Sequence, residues 1–205
     1  IIGPPALCPW TPSPCQDGPM GYDVTDALGS LRAAFDTSRA ELLGRLDGLS
    51  SDEYFWEPVP GCWTVTQVAD GWTAANDPEA EPAPVTTIAW RLWHLWDCFE
   101  SYSERAFGTR DSGMPYDRFV GTPIEALTLL RRAIDHFTAG LDDLGPGVGE
   151  PLGSAFGPFA ERNHIDLGQH ALRELNAHGA EIGLLRDLWF HRAEPCSTGR
   201  STPGR

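Results

Sequence analysis

Lysine is absent from this chain of 205 residues, so all 15 of its basic side chains are arginines. Without a lysine amine, Schiff-base chemistry and the lysine of a nucleotide-binding P-loop are excluded. The basic residues are outnumbered by 29 acidic ones, which gives a formal net charge of -14. Because clustered basic side chains are needed to bind nucleic-acid phosphates, we expect no nucleic-acid partner.

Long apolar runs and paired cysteine motifs are missing as well. No run of about 18 apolar residues is present, which argues against a membrane span. The N-terminal segment lacks the charged region and apolar stretch of a signal peptide. The five cysteines are scattered without a CxxC pair, so we expect neither a disulfide framework nor a cysteine-based zinc site. These absences favour the reducing cytoplasm, with Cys98 as a small core residue and a nucleophilic role as its alternative.

The middle of the chain has apolar residues at helical spacing in four long stretches. These cover residues 25–47, 87–107, 123–144 and 167–189. Four helices of about 20 residues predict an all-α four-helix bundle. The link between the first two helices, residues 48–86, is too long for a simple turn. We therefore expect a long crossover whose Trp63 and Trp72 cover one end of the bundle.

The two ends of the chain differ from this pattern. Residues 1–22 and 193–205 are rich in residues such as proline, glycine and serine and lack hydrophobic periodicity. We expect a disordered or irregular lead-in over 1–22 and a disordered tail over 193–205. The bundle is then expected to occupy residues 23–192.

The last predicted helix contains polar residues at helical spacing, namely His170, Glu174, His178 and Glu181. At about 100° per residue, its apolar stripe is centred about 95° from His170. His178 falls near the middle of that stripe, at about 80°, and Glu174 lies on its flank at about 40°. His170 and Glu181 lie at the edge. A carboxylate buried beside a core needs a partner, and a metal ion is one such partner.

Helical spacing then restricts which of these side chains can share an ion. Residues four apart face the same way, so Glu174 with His178 is the preferred pair and His170 with Glu174 the alternative. His170 and His178 are about 12 Å apart along the axis, too far to bind one ion together. A third ligand has to come from a neighbouring helix. His94, in a tryptophan-rich helix, is the natural candidate, and a hydrogen-bonded core histidine is its alternative interpretation.

Parts of the sequence resemble the DinB/YfiT-like superfamily, especially its actinobacterial branch. The resemblance is carried by LDGLSSDEYFWEPVPGCWTV, TIAWRLWHLWDCFESY and HALRELNAHGAEIGLLRDLW, and it covers roughly residues 25–190. It implies a four-helix bundle with a divalent metal, zinc or nickel, held at one end by three histidines. The corresponding positions here are His94, Glu174 and His178, with His170 as an alternative ligand. Glutamate therefore replaces the first histidine of the last-helix pair.

The same resemblance implies a function. Relatives of known activity are thiol-dependent transferases and isomerases, and the arginine-rich composition fits an actinobacterial source, in which mycothiol would be the co-substrate. We expect a metal-activated thiol S-transferase or isomerase acting on a small molecule, with Arg91, Trp90 and Trp63 as substrate-binding candidates. One alternative is a non-catalytic small-molecule-binding or stress-response bundle with a degenerate metal site. Another is a structural homodimer that associates through a tryptophan-rich helix face.

Overall fold

The computed structural model describes residues 24–77 and 79–192, and these form an all-α four-helix bundle with a long crossover. The expectations for residues 1–22 and 193–205 lie outside the described residues. The bundle helices are α1 (Val24–Arg45), α3 (Ile88–Phe107), α4 (Pro123–Leu144) and α5 (His164–His191). The crossover contains a short helix, α2 (Ser51–Tyr54), and a hairpin of β1 (Val65–Val68) and β2 (Gly71–Ala74). Within the described part of the chain, no helix is long and apolar enough to cross a membrane.

Polar side chains fix where the helices begin. The Thr87 hydroxyl accepts the Trp90 amide proton at the start of α3, and the Thr122 hydroxyl accepts that of Glu125 before Pro123 opens α4. Helix α5 starts at His164, three residues before the predicted Leu167. The reason is a capping box, in which Asn163 and Asp166 each accept the other's backbone amide proton. Asp166 thus lies inside the first turn, and Asn163 is the cap.

The hairpin was not predicted, since the sequence of the crossover indicated only a turn-rich segment. Strands β1 and β2 pair antiparallel, with Val65 opposite Ala74 and Val68 opposite Gly71. The chain next to the hairpin is tied to the start of α3. The Trp63 amide donates to the Val85 carbonyl and the Thr87 amide donates to the Trp63 carbonyl, both at 2.9 Å. This fixes Trp63 beside the first turn of α3.

Interlocking aromatic rings fill the centre of the bundle. Phe35 of α1, Phe99 of α3 and Phe137 of α4 are fully buried, with ring centroids 5.5–6.2 Å apart in edge-to-face contacts. Helix α5 approaches α1 closely at Gly168, where a Cβ atom would lie 2.4 Å from Leu31. The absence of a side chain at Gly168 is therefore what allows this approach.

A buried ion pair joins α5 to the start of the crossover. Arg186 Nε donates to Glu53 Oε1 at 2.7 Å and its Nη2 donates to Oε2 at 3.2 Å, with the two side chains 10% and 2% exposed. The same guanidinium donates to the carbonyls of Arg45, the last residue of α1, and Asp47. Arg186 thus supplies donors to three acceptors, one carboxylate and two carbonyls, that would otherwise be buried without partners.

Replacing Arg186 by methionine should leave the Glu53 carboxylate and two carbonyls without their donors in a buried place. We expect a loss of about 3–5 kcal/mol in the free energy of unfolding, the usual cost of removing one partner of a buried pair. Urea denaturation followed by circular dichroism measures it. The matched control is Arg131→Met on the exposed face of α4, which should change stability by less than about 0.5 kcal/mol. Equal midpoints for the two variants would contradict this account.

Candidate metal centre

Helices α3 and α5 run antiparallel where their polar residues meet. The His94 and His178 rings are 4.7 Å apart between centroids, and those of Tyr102 and His170 are 5.6 Å apart. From the first ring pair to the second, residue numbers rise along α3 and fall along α5, so the two helices run in opposite directions. One polar layer therefore lies at His94 and His178, and the next lies about two turns further along.

The structure brings His94, Glu174 and His178 together. One ligand atom from each lies within 4.8 Å of the others. Two ligands of a tetrahedral ion are about 3.4 Å apart when the bonds are about 2.1 Å long. Small side-chain rotations would therefore bring all three onto one ion. His170 is outside this group, with its Nε2 3.9 Å from Glu174 Oε1 and its side chain 43% exposed.

The protonation of two of these residues suits a metal ion. Burial, followed by the nearby charge of His178, lowers the pKa of His94 to about 4, so its imidazole is neutral at physiological pH. The hydrogen bond from His178 lowers the pKa of Glu174 to about 2 against the opposing effect of burial, and Arg173 adds to the lowering. A neutral imidazole and an ionised carboxylate are the forms that bind metal. The donor set thus fits a divalent ion such as zinc.

His178 lies between two carboxylates. Its Nε2 is 3.2 Å from Glu174 Oε2, and its Nδ1 is 2.6 Å from Glu181 Oε2. Burial by itself would lower the pKa of His178, but the hydrogen bonds to Glu174 and Glu181 outweigh it and raise that pKa above its ordinary value. In the metal-free protein the ring is therefore stabilised as an imidazolium. A metal ion held by Nε2 has to displace the proton on that nitrogen.

Glu181 is the part of the site that the sequence did not reveal, because the helical wheel placed it at the edge of the stripe. Its carboxylate pairs with Arg91 of α3, with Arg91 Nε 3.0 Å from Oε2. The Arg91 side chain is only 12% exposed. Its proposed contact with a substrate stays a prediction, since the guanidinium is already occupied by Glu181 in this structure.

Trp90, Trp63 and Cys98 surround His94. The Trp90 ring stacks on the His94 ring at 5.1 Å and is held by a hydrogen bond from its indole N–H to the Ala75 carbonyl. Trp63 packs behind Trp90 at 5.4 Å, so the substrate-binding role expected of both tryptophans stays a prediction. Cys98 Sγ lies 3.7 Å from His94 Nε2. Burial and the charges of Asp97 and Glu174 raise the pKa of Cys98 to about 12, which disfavours a nucleophilic thiolate at neutral pH.

The His–Glu–His cluster thus lies between α3 and α5 of a helical bundle with a long crossover. The sequence profile of the DinB superfamily matches residues 34–182, and the chain belongs to this superfamily. The match includes all three residues of the cluster. No significant match was found among curated proteins or among solved structures.

Metal affinity should fall as the pH is lowered, because the ion competes with the raised-pKa proton on His178. Below that pKa, the apparent Kd should increase about tenfold per pH unit. His94 adds a second proton only near its pKa of about 4, and Glu174 only near about 2. Calorimetric zinc titrations in buffers of different ionisation enthalpy should count one released proton per ion in this range. A count of zero would contradict the assignment of His178 as a ligand.

Proposed function

We propose that the protein is a divalent-metal-dependent enzyme that acts as a low-molecular-weight-thiol S-transferase or isomerase, with mycothiol as the co-substrate. The supporting observation is the cluster of His94, Glu174 and His178. Catalytic zinc sites use three protein ligands, including the His2Glu set, and keep a position open, whereas structural zinc sites use four. The three-residue cluster therefore favours a reactive centre over a structural one.

The chemistry of such a centre follows from its charge. When bound, a zinc or nickel ion supplies the positive charge that lowers the pKa of a thiol or water at the open position. Glu174 contributes one negative charge where a third histidine would be neutral. This carboxylate stabilises the divalent charge and also weakens its effect on a thiol, compared with a three-histidine centre.

The tryptophans shape the surroundings of the centre. Trp90 covers one face of the His94 ring and is only 2% exposed, so water is excluded from that face. A dry wall beside an ion strengthens its electrostatic effect on the reacting group. Glu174 and Glu181, in contrast, are partly exposed and offer a route from solvent. We propose that small-molecule substrates enter there and that the enzyme works in the actinobacterial cytoplasm.

The alternative functions have less support in the packing. A binding module without chemistry would need an accessible apolar pocket, but Trp63, Trp90 and Trp93 are 7%, 2% and 6% exposed and pack on one another. A homodimer formed through the tryptophan-rich face of α3 meets the same difficulty, because that face is already buried within the protomer. The burial of these tryptophans favours the metal-dependent enzyme over both alternatives.

Elemental analysis of the purified protein should find about one zinc or nickel ion per chain. The variants His94→Ala and His178→Ala should each lose it, with a larger loss of affinity than the roughly 10–100-fold cost of removing an outer hydrogen-bond partner. His191→Ala, an exposed histidine at the end of α5, is the matched control and should keep the ion.

The same proteins should be assayed with mycothiol and 1-chloro-2,4-dinitrobenzene as a general electrophile. We expect thioether formation by the wild type and by His191→Ala, loss of activity after EDTA treatment, and recovery when zinc or nickel is added. A wild-type protein without a divalent ion would contradict the proposal. Activity that persists in His178→Ala would do the same.

A further inference from the structure

The ring of His178 has a second polar contact, on the side away from Glu174. We propose that Glu181, held by Arg91, is a positioning residue that fixes the tautomer of His178 and so assigns Nε2 as its metal-binding atom. The inference rests on the proposed metal centre and deepens it. The residues involved are His178 and Glu181, one turn apart on α5, and Arg91 of α3.

The position of the proton on His178 follows from a distance. Glu181 Oε2 lies 2.6 Å from Nδ1. A carboxylate oxygen and a bare imidazole nitrogen both present lone pairs, which would repel at this separation, so a proton has to lie between them. The Arg91 guanidinium beside the same oxygen stabilises the ionised carboxylate, and this places the proton on Nδ1. Nε2, which faces Glu174, is then the nitrogen left for the metal.

The Arg91 guanidinium lies close to both Glu181 and His178. Its Nε is 3.0 Å from Glu181 Oε2, whereas its Nη1 is 3.3 Å from His178 Nδ1. The shortest of the three distances, 2.6 Å, joins Nδ1 and Oε2, so this contact places the proton, and Arg91 contributes its positive charge beside Oε2. With the proton on Nδ1, the 3.3 Å approach of Nη1 is a close contact rather than a hydrogen bond.

This arrangement treats the two histidines differently. His178 is oriented by a charged hydrogen bond, whereas His94 stacks on the Trp90 ring and contacts the Cys98 thiol. A carboxylate on the far nitrogen raises the basicity of a ligating imidazole and holds its ring in place. Because Arg91 belongs to α3, the pair also joins the two helices that supply the ligands.

The test is the zinc affinity of Glu181 variants, measured by competition with a chromophoric chelator. Glu181→Ala removes the acceptor, and we expect binding about 10–100-fold weaker than that of the wild type. Glu181→Gln keeps an acceptor oxygen without the charge and should lose less. Asp187→Asn is the matched control, since it removes one negative charge from an exposed position of the same helix and should leave the affinity unchanged.

A spectroscopic measurement reports the tautomer itself. Long-range proton–nitrogen NMR of zinc-loaded wild type should show His178 protonated at Nδ1, with a slowly exchanging proton. In Glu181→Ala this proton should exchange fast, which a merely structural role of Glu181 would not produce. Thermal unfolding of the variants checks that they are folded, and Glu181→Gln serves if the alanine variant is not.

The outcomes separate this inference from the function on which it rests. If the wild type binds no zinc, the proposed centre and the tautomer assignment both fall. If the wild type binds zinc and the Glu181 variants bind it as tightly as Asp187→Asn, only the inference is overturned. Protonation of His178 at Nε2 in the zinc-loaded protein would also overturn it.

Discussion

The charges around the ring of His178 are the constraint on which this end of the bundle depends. Glu174 and Glu181 contact its two nitrogens, and neither carboxylate is fully exposed to water. Charges removed from water are tolerated only when each has a partner with good geometry. Helix α3 supplies Arg91 and His94, and α5 supplies the rest, so the two helices have to meet in one register. The register of α3 against α5 therefore depends on the residues of the cluster, and the cluster forms only when the two helices pack in that register.

Helix α5 has a second polar anchor about two turns beyond the first. There Arg186 binds Glu53 and two carbonyls at the end of α1, while Ile182 and Leu185 between the two anchors are buried against the core. An apolar stripe alone allows a helix to rotate or slide among similar packings, and buried polar contacts disfavour those alternatives. The two anchors fix the rotation of α5 about its axis and its position along that axis. A three-residue cluster shared with α3 requires both to be fixed.

Much of the fold followed from the sequence because it is determined locally. Apolar spacing marked the four long helices, and the bounds of α4 agreed with the prediction. The start of α5 was placed too late because it was drawn from its first apolar residue rather than from its cap. The hairpin was missed because strands of four residues contain too little alternation to be recognised, and their stability comes from contacts with the rest of the fold.

The candidate site, like the fold, could be predicted only in part from the sequence. That Glu174 and His178 lie together could be predicted because helical geometry sets their spacing and their place on the apolar stripe, and the approach of His94 was predicted from its setting and the family resemblance. The role of Glu181 was not predicted, because it depends on the ion pair with Arg91. Arg91 is far away in the sequence and comes close only after α3 and α5 have packed. Ion pairs of this kind form only in the tertiary structure, so the periodicity of a single helix does not predict them.

The bond between Trp63 and the start of α3 also has a consequence for motion. Trp63 exchanges backbone hydrogen bonds with Val85 and Thr87, and the Thr87 hydroxyl meets that of Thr64 at 3.0 Å. Opening the hairpin would therefore release the residue that caps α3, one turn before Trp90 and two before His94. Segments that share hydrogen bonds in this way open together in a single cooperative step. We therefore expect the crossover to stabilise the first turns of α3 and to open together with them, rather than to move independently as a hinged flap.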